Sequence, residues 1–147
     1  MRPWMLPIAL ALALTPLLVV QPVRVQGESM YPTLRPGQRV WVLRRWAAGE
    51  PRRYEIWWME GPEGPAFKRI LGLPGEILEQ RRGDLWLAGQ RLDEPYVRFA
   101  ERGDAGPWIC GSGYLVLGDH RPESRDGRTW GPLPRSAFKG RLLGVHS

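Results

Sequence analysis

Cysteine, histidine and lysine are all scarce in this chain, and each shortage excludes something. The single cysteine, Cys110, allows no intramolecular disulfide and reads as a small buried hydrophobe. There is no CxxC or HExxH pair, and the only histidines are His120 and His146. Neither a metal site nor a cofactor is expected, although Asp119, His120 and His146 are the ligands one would draw. A Ser-His-Asp triad would need one of those two histidines, and His146 is the penultimate residue, where chains fray. The G-x-S-x-G elbow is missing, since Gly27-Glu28-Ser29-Met30-Tyr31 lacks its second glycine. Internal repeats and nucleic-acid motifs are also absent, so no nucleic-acid partner is expected.

The shortage of lysine is the most informative. Of 21 basic side chains only Lys68 and Lys139 are lysines. Arginine keeps its proton in proteins, whereas a buried lysine loses it readily. A protein of this composition that needs a neutral amine as a base has two candidates. Lys139 stands between Phe138 and Gly140 beside Arg141 and reads as a solvated charge. Lys68 lies in Pro65-Ala66-Phe67-Lys68-Arg69-Ile70-Leu71, and on a strand it shares a face with Ala66 and Ile70. Burial there would lower its pKa. On spacing alone it fits equally an edge-strand lysine that blocks aggregation.

What the chain has in quantity is glycine and proline, 18 and 15 residues, spread throughout. That favours short strands and turns over long helices. Strands are expected at 38–43, 54–59, 66–71, 77–80, 85–87, 114–117 and 139–145. Loops are expected at 61–65 and 120–134, and a polar, glycine-rich connection at 100–113. The fold class is all-β: antiparallel strands in one compact domain over 23–147.

The one long uncharged run covers residues 4–20. As a helix it would measure roughly 26 Å, slightly less than a bilayer core of about 30 Å. The run is followed by Val19-Val20-Gln21-Pro22-Val23-Arg24-Val25, a poor cleavage site. An uncleaved transmembrane anchor over 1–22 is therefore expected, with the N-terminus cytoplasmic and the larger domain exported. The net charge of +6 is carried by arginines from Arg24 to Arg141, which beside such an anchor suits lipid headgroups. Trp57-Trp58 could rest in that interface, although one of an alternating pair belongs more simply to the core.

Ser29 follows the apolar run closely, between Gly27 and the turn at Pro32. Glycine lets the backbone approach a ligand and proline fixes the turn after it. With no obvious histidine base, a serine paired with a lysine remains, a known variant of the triad logic.

Three stretches resemble a known family. Gly-Glu-Ser-Met-Tyr-Pro-Thr-Leu at 27–34 resembles the serine box of type I signal peptidases. Phe-Lys-Arg-Ile-Leu-Gly-Leu-Pro-Gly-Glu at 67–76 resembles their lysine box, and Gly-Asp-His-Arg-Pro-Glu-Ser-Arg-Asp-Gly-Arg at 118–128 resembles their third box. The resemblance implies Ser29 as nucleophile, with its N–H facing the oxyanion, and Lys68 as general base. It implies that Ser124 orients the lysine, supported by Arg69, Asp119, Arg121, Asp126 and Arg128. Asp126 and Arg128 would brace one loop as a surface pair of small worth. Gly27, Met30 and Pro32 would contact substrate. The implied enzyme is a monomer, without cofactor, that cuts exported preproteins after a small-x-small motif at the membrane. A dedicated peptidase of a pilin or conjugative transfer system is the alternative. Three positions depart from the pattern: Gly27 in place of a serine found in some members, His120 in place of asparagine, and Gly127 in place of serine.

Overall fold

The computed structural model describes residues 2–144. The apolar run forms α1 (Met5–Val19) and passes directly into strand β1 (Val20–Arg24). Leu6, Ile8, Leu10, Leu12 and Leu18 of α1 are all more than half exposed. The helix has 15 residues, which is roughly 22 Å of length. Among the described residues no helix is long and apolar enough to cross a membrane. The helix is thus shorter than the apolar run expected to be helical over 4–20. The cause is strand pairing: Val20, Gln21 and Pro22 stand opposite Leu43, Val42 and Trp41 of β2 (Arg39–Arg44). Pro22 is tolerated because β1 is a sheet edge.

A single helical turn, α2 (Arg45–Ala48), leads to the hairpin of β3 (Ile56–Gly61) and β4 (Gly64–Gly72). The expected loop 61–65 is tighter than read, because pairing continues to Gly61 opposite Gly64. A second hairpin joins β5 (Ile77–Arg81) to β6 (Asp84–Leu87), followed by the short β7 (Gln90–Arg91) and by β8 (Ala105–Ile109). β8 lies inside the segment expected to be a mere connection. It is mostly exposed and carries no apolar alternation, so its pairing with β5 left no signature. The chain closes with β9 (Leu115–Leu117), the one-turn helix α3 (Gly127–Trp130) and β10 (Phe138–Leu142). Val145 and His146, assigned above to the last strand and to a possible triad, lie outside the described residues.

All the strand pairs are antiparallel. They form a six-stranded sheet, β1-β2-β10-β3-β4-β9, and a four-stranded sheet, β7-β6-β5-β8. Leu71, Leu78, Leu85, Cys110, Leu115 and Leu117 pack where the two sheets meet. The approach is closest at Gly72, where a Cβ would stand 2.6 Å from Cys110 Sγ and 2.8 Å from Leu115 Cβ. The consequence for the site is the placement of β4. It lies between β3 and β9, and every residue from Phe67 to Gly72 is buried. Lys68 and Arg69 therefore point to opposite faces of one strand and both are inside. The edge-strand alternative for Lys68 is excluded by this position. Trp57 is fully buried against Phe138, so it takes no part in a lipid interface.

Candidate active site

Ser29 sits in the connection between β1 and β2. Tyr31 N–H donates to Glu28 O at 3.0 Å, and Leu34 N–H donates to Met30 O at 2.9 Å, which winds the chain into a tight turn. Met30 and Leu34 come round on one side of it and enter the core with Val25, Ile56 and Phe67. Burying two such side chains contributes roughly 3–6 kcal/mol and holds the turn against the sheet. The Met30 side chain faces inward and is 2% exposed. Gly27 is exposed at φ +70°, a conformation that favours glycine, and has open space where a side chain would project.

The turn is gripped by a second segment. Asp119 Oδ2 accepts from Thr33 Oγ1 at 2.6 Å, and His120 N–H donates to Ser29 O at 3.0 Å. Between these two, Gly118 passes so close that a Cβ would lie 2.4 Å from Ser29 O and 2.2 Å from Ser124 Oγ. Ser124 in turn accepts a hydrogen bond from Lys68 Nζ at 3.2 Å and donates to Asp126 Oδ2 at 2.6 Å. Ser29, Gly118, Ser124 and Lys68 thus converge from three separate parts of the chain.

The side chain of Lys68 is enclosed, with 3% of the residue exposed. Burial, reinforced by the nearby Arg128 charge, pulls its pKa down to about 8, and Asp126 opposes this only in part. Asp126 is fully buried. Burial works against its charge, but hydrogen bonds from Arg128, the Ser124 hydroxyl and Gly118 N–H hold its carboxyl below the usual range. The Asp126–Arg128 pair, expected at the surface, is thus mostly interior. α3 begins there, with Asp126 as its N-cap, and Gly127 lets it pack against Val116. A Cβ on Gly127 would stand 2.7 Å from Val116 O, so the departure from serine at this position is what the close packing requires.

The polarity of this chain of bonds follows from Asp126. An ionised carboxylate only accepts, so Ser124 must donate to it. Ser124 Oγ then receives a hydrogen from Lys68, and a neutral amine keeps its lone pair free for another proton.

On the other face of β4, Arg69 forms a forked pair with Asp119, Nε to Oδ1 at 2.9 Å and Nη2 to Oδ2 at 2.6 Å. The pair is almost completely buried. Removing one partner from such a pair leaves an unpaired interior charge, at a cost of about 3–5 kcal/mol. Arg69 also donates to Tyr54 O and lies 3.8 Å from the Tyr96 ring centre. Arg121 donates to Gly118 O at 3.0 Å and pairs with Glu94. Both Asp119 oxygens accept from Arg69, which leaves the carboxylate no part in the metal site one could draw from the sequence. Among the described residues no group of His, Cys, Asp and Glu is placed to hold a metal.

Thr33, Gly118, Glu94 and Tyr96 belong to this structure but were not singled out from the sequence. Thr33 and Gly118 lie inside the first and third motifs. Glu94 and Tyr96 lie in no motif, and only the fold brings their segment to the site. A groove of about 360 Å³ is lined by Gln21, Val23, Gln26, Trp58, Ala66 and Phe67 among others. Its walls come from β1 and Gln26 after it, from Trp58 of β3 and from the residues just before Lys68. Gly27 and Pro32 are not among them.

The turn of Ser29 and the buried amine of Lys68 are thus tied to one and the same segment, 118–126, of an antiparallel β domain. The model of the family "Signal peptidase, peptidase S26" matches residues 1–146. Signal peptidase IB of Staphylococcus aureus (strain Mu50 / ATCC 700699) is 28% identical over 95% of this chain and 85% of its own. Signal peptidase I S of Bacillus subtilis (strain 168) is 35% identical over 85% of this chain and 77% of its own. The crystal structure of a signal peptidase I from Enterococcus faecalis V583 superposes with a TM-score of 0.54 at 27% identity, covering 68% of this chain and 99% of that one. The chain belongs to the signal peptidase family, peptidase S26.

Proposed function

We propose that this chain removes N-terminal signal peptides from exported preproteins, with Ser29 as nucleophile and Lys68 as general base. The carrying observation is the enclosed Lys68 amine, lowered in pKa and bonded to Ser124 on the segment that also grips the Ser29 turn. Ser29 Oγ attacks the carbonyl carbon of the scissile bond as neutral Lys68 takes its proton. The oxyanion that forms is received by Ser29 N–H. Lys68 then returns the proton to the leaving amine, and water, activated by the same lysine, releases the acyl group and restores the serine. Ser124 and Asp126 hold Lys68 in place, and Arg69, Asp119, Arg121 and Arg128 hold the two segments together.

The groove takes the residues before the cut in extended form, along the free edge of β1. Trp58, Phe67 and Val23 narrow it, which favours small side chains and so a small-x-small motif. One chain carries every proposed site residue, which supports a working monomer.

The test is cleavage of a preprotein with an Ala-x-Ala site by the purified chain in lipid. A single cut after that site is expected, with a rate that climbs with pH through about 8 as Lys68 loses its proton. Cuts scattered elsewhere, or a rate indifferent to pH between 7 and 9, would overturn the proposal.

The proposed location is the cell membrane, with α1 as a single anchor, the N-terminus cytoplasmic and the β domain outside. α1 is uncharged and apolar on all sides, the pattern of a helix surrounded by lipid. Its shortness is accommodated by local thinning of the bilayer. Trp41 and Trp46, 54% and 69% exposed, suit the headgroup layer. A protease added outside cells stripped of their wall is expected to digest the β domain, and full protection would refute this orientation.

A further inference from the structure

The groove is lined by residues of β1, β3 and β4 and by Gln26. The Ser29 turn itself carries a second feature that the reaction as described leaves unused. Tyr31, Phe99 and His120 form a continuous aromatic surface: Phe99 and His120 ring centres are 4.6 Å apart, and Tyr31 lies 6.1 Å from Phe99 and 6.2 Å from His120. Single exposed apolar residues are ordinary, but touching rings beside a reactive turn form a patch. Tyr31 is 36% and Phe99 44% exposed, so two of the rings show a substantial face to solvent.

This surface is held firmly and close to Ser29. Tyr31 is two residues after it, and His120 grips Ser29 O through its backbone N–H. Phe99 arrives from the connection between β7 and β8. It is held by a bridge to His120 and by Arg121 N–H donating to Phe99 O at 3.2 Å. The same connection is anchored by the Glu94–Arg121 pair and by Tyr96 under Arg69. No residue of the shelf is a wall of the groove. The groove is built from residues that precede Ser29 and Lys68, whereas the shelf begins just past Ser29. A chain bound in the groove therefore leaves the shelf free for the residues that follow the cut.

We infer that Tyr31, Phe99 and His120 receive the first two residues after the scissile bond and favour an apolar or aromatic side chain there. The inference rests on the peptidase reading above and adds a specificity determinant on the leaving side. An aromatic side chain laid on such rings gains stacking beyond simple area burial, enough for about a 3- to 10-fold preference. The contact acts before the amine departs, so the preference falls in kcat/KM.

The test uses preproteins identical up to the cut, with phenylalanine or glycine at the first or at the second position after it. At one or both positions, wild type is expected to favour phenylalanine about 3- to 10-fold in kcat/KM. Phe99→Ala and, independently, His120→Asn, which keeps the backbone N–H but removes the ring, are expected to bring that ratio close to one. Ile109→Ala, a change at an exposed residue of β8, is expected to keep the wild-type ratio. A wild-type ratio of one at both positions, or a ratio that survives both shelf variants, overturns the shelf and leaves the peptidase reading standing. Failure of wild type to cut any of these preproteins overturns both.

Discussion

Lys68→Ala is expected to lower preprotein cleavage at pH 8 by about 10²–10⁴-fold, the range for loss of a positioned general base. Ser29→Ala, which removes the nucleophile itself, is expected to abolish the acyl-enzyme altogether. A measurement of stability separates loss of chemistry from loss of fold. Lys68 is enclosed and its pKa falls from 10.5 to about 8. Between those values the unfolded chain binds more protons than the folded one, so stability rises with pH across that window. Below it, keeping the charge buried costs about 3 kcal/mol. Lys68→Met preserves most of the bulk and carries no charge. It is expected to lack this rise, so that its stability relative to wild type declines by about 3 kcal/mol between pH 7 and pH 11. The urea unfolding curves of the two proteins, compared at both pH values, test it. Parallel pH dependence would mean that Lys68 is not held in the neutral form, and normal turnover by Lys68→Ala would remove it as the base.

Gly118→Ala is expected to reduce cleavage by about 10²-fold or more, the cost of displacing reacting groups by an ångström. The added methyl would meet Ser124 Oγ at 2.2 Å and Ser29 O at 2.4 Å. It cannot be accommodated without separating the serine turn from the lysine's partner. Overpacking of this kind also lowers stability, by about 1–3 kcal/mol. Measurement at a temperature where the variant remains folded isolates the effect on turnover. Activity within a few-fold of wild type would show that Ser29 and Ser124 need not be held this close. Gly131→Ala makes a useful contrast: it has open space around it and lies past α3, where only its positive φ adds strain.

The motifs drew attention to these side chains because each had a local chemical reason to stand out. Lys68 was conspicuous through the rarity of lysine and its apolar neighbours, and Ser29 through the glycine and proline around it. The turns near 61–65 and 81–84 were legible for the same reason, since glycine, proline and charged residues interrupt the apolar runs there. β1 and β8 were not. β1 continues an apolar helix and contains Pro22, and β8 is exposed and has no alternation, so both exist only because a neighbouring strand is there to pair with them. The burial of Met30 came only with the fold, because nothing near it in sequence distinguishes an inward-facing side chain from an outward one.

The same division runs through the site itself. Composition and order along the chain determined which residue types were available: two amines among many guanidiniums, few serines and only two histidines. They also determined the family and the antiparallel β class, because periodicity, turns and motifs are local properties. Only the tertiary structure decided how those residues act on one another. It put β4 between two strands, which buries Lys68 and lowers its pKa. It folded Asp126 inward, which sets the direction of the Lys68–Ser124–Asp126 hydrogen bonds. It also carried Phe99 from a distant connection to His120, whose N–H holds the Ser29 turn. Burial and through-space contact depend on which strands become neighbours, and no local stretch of sequence contains that information.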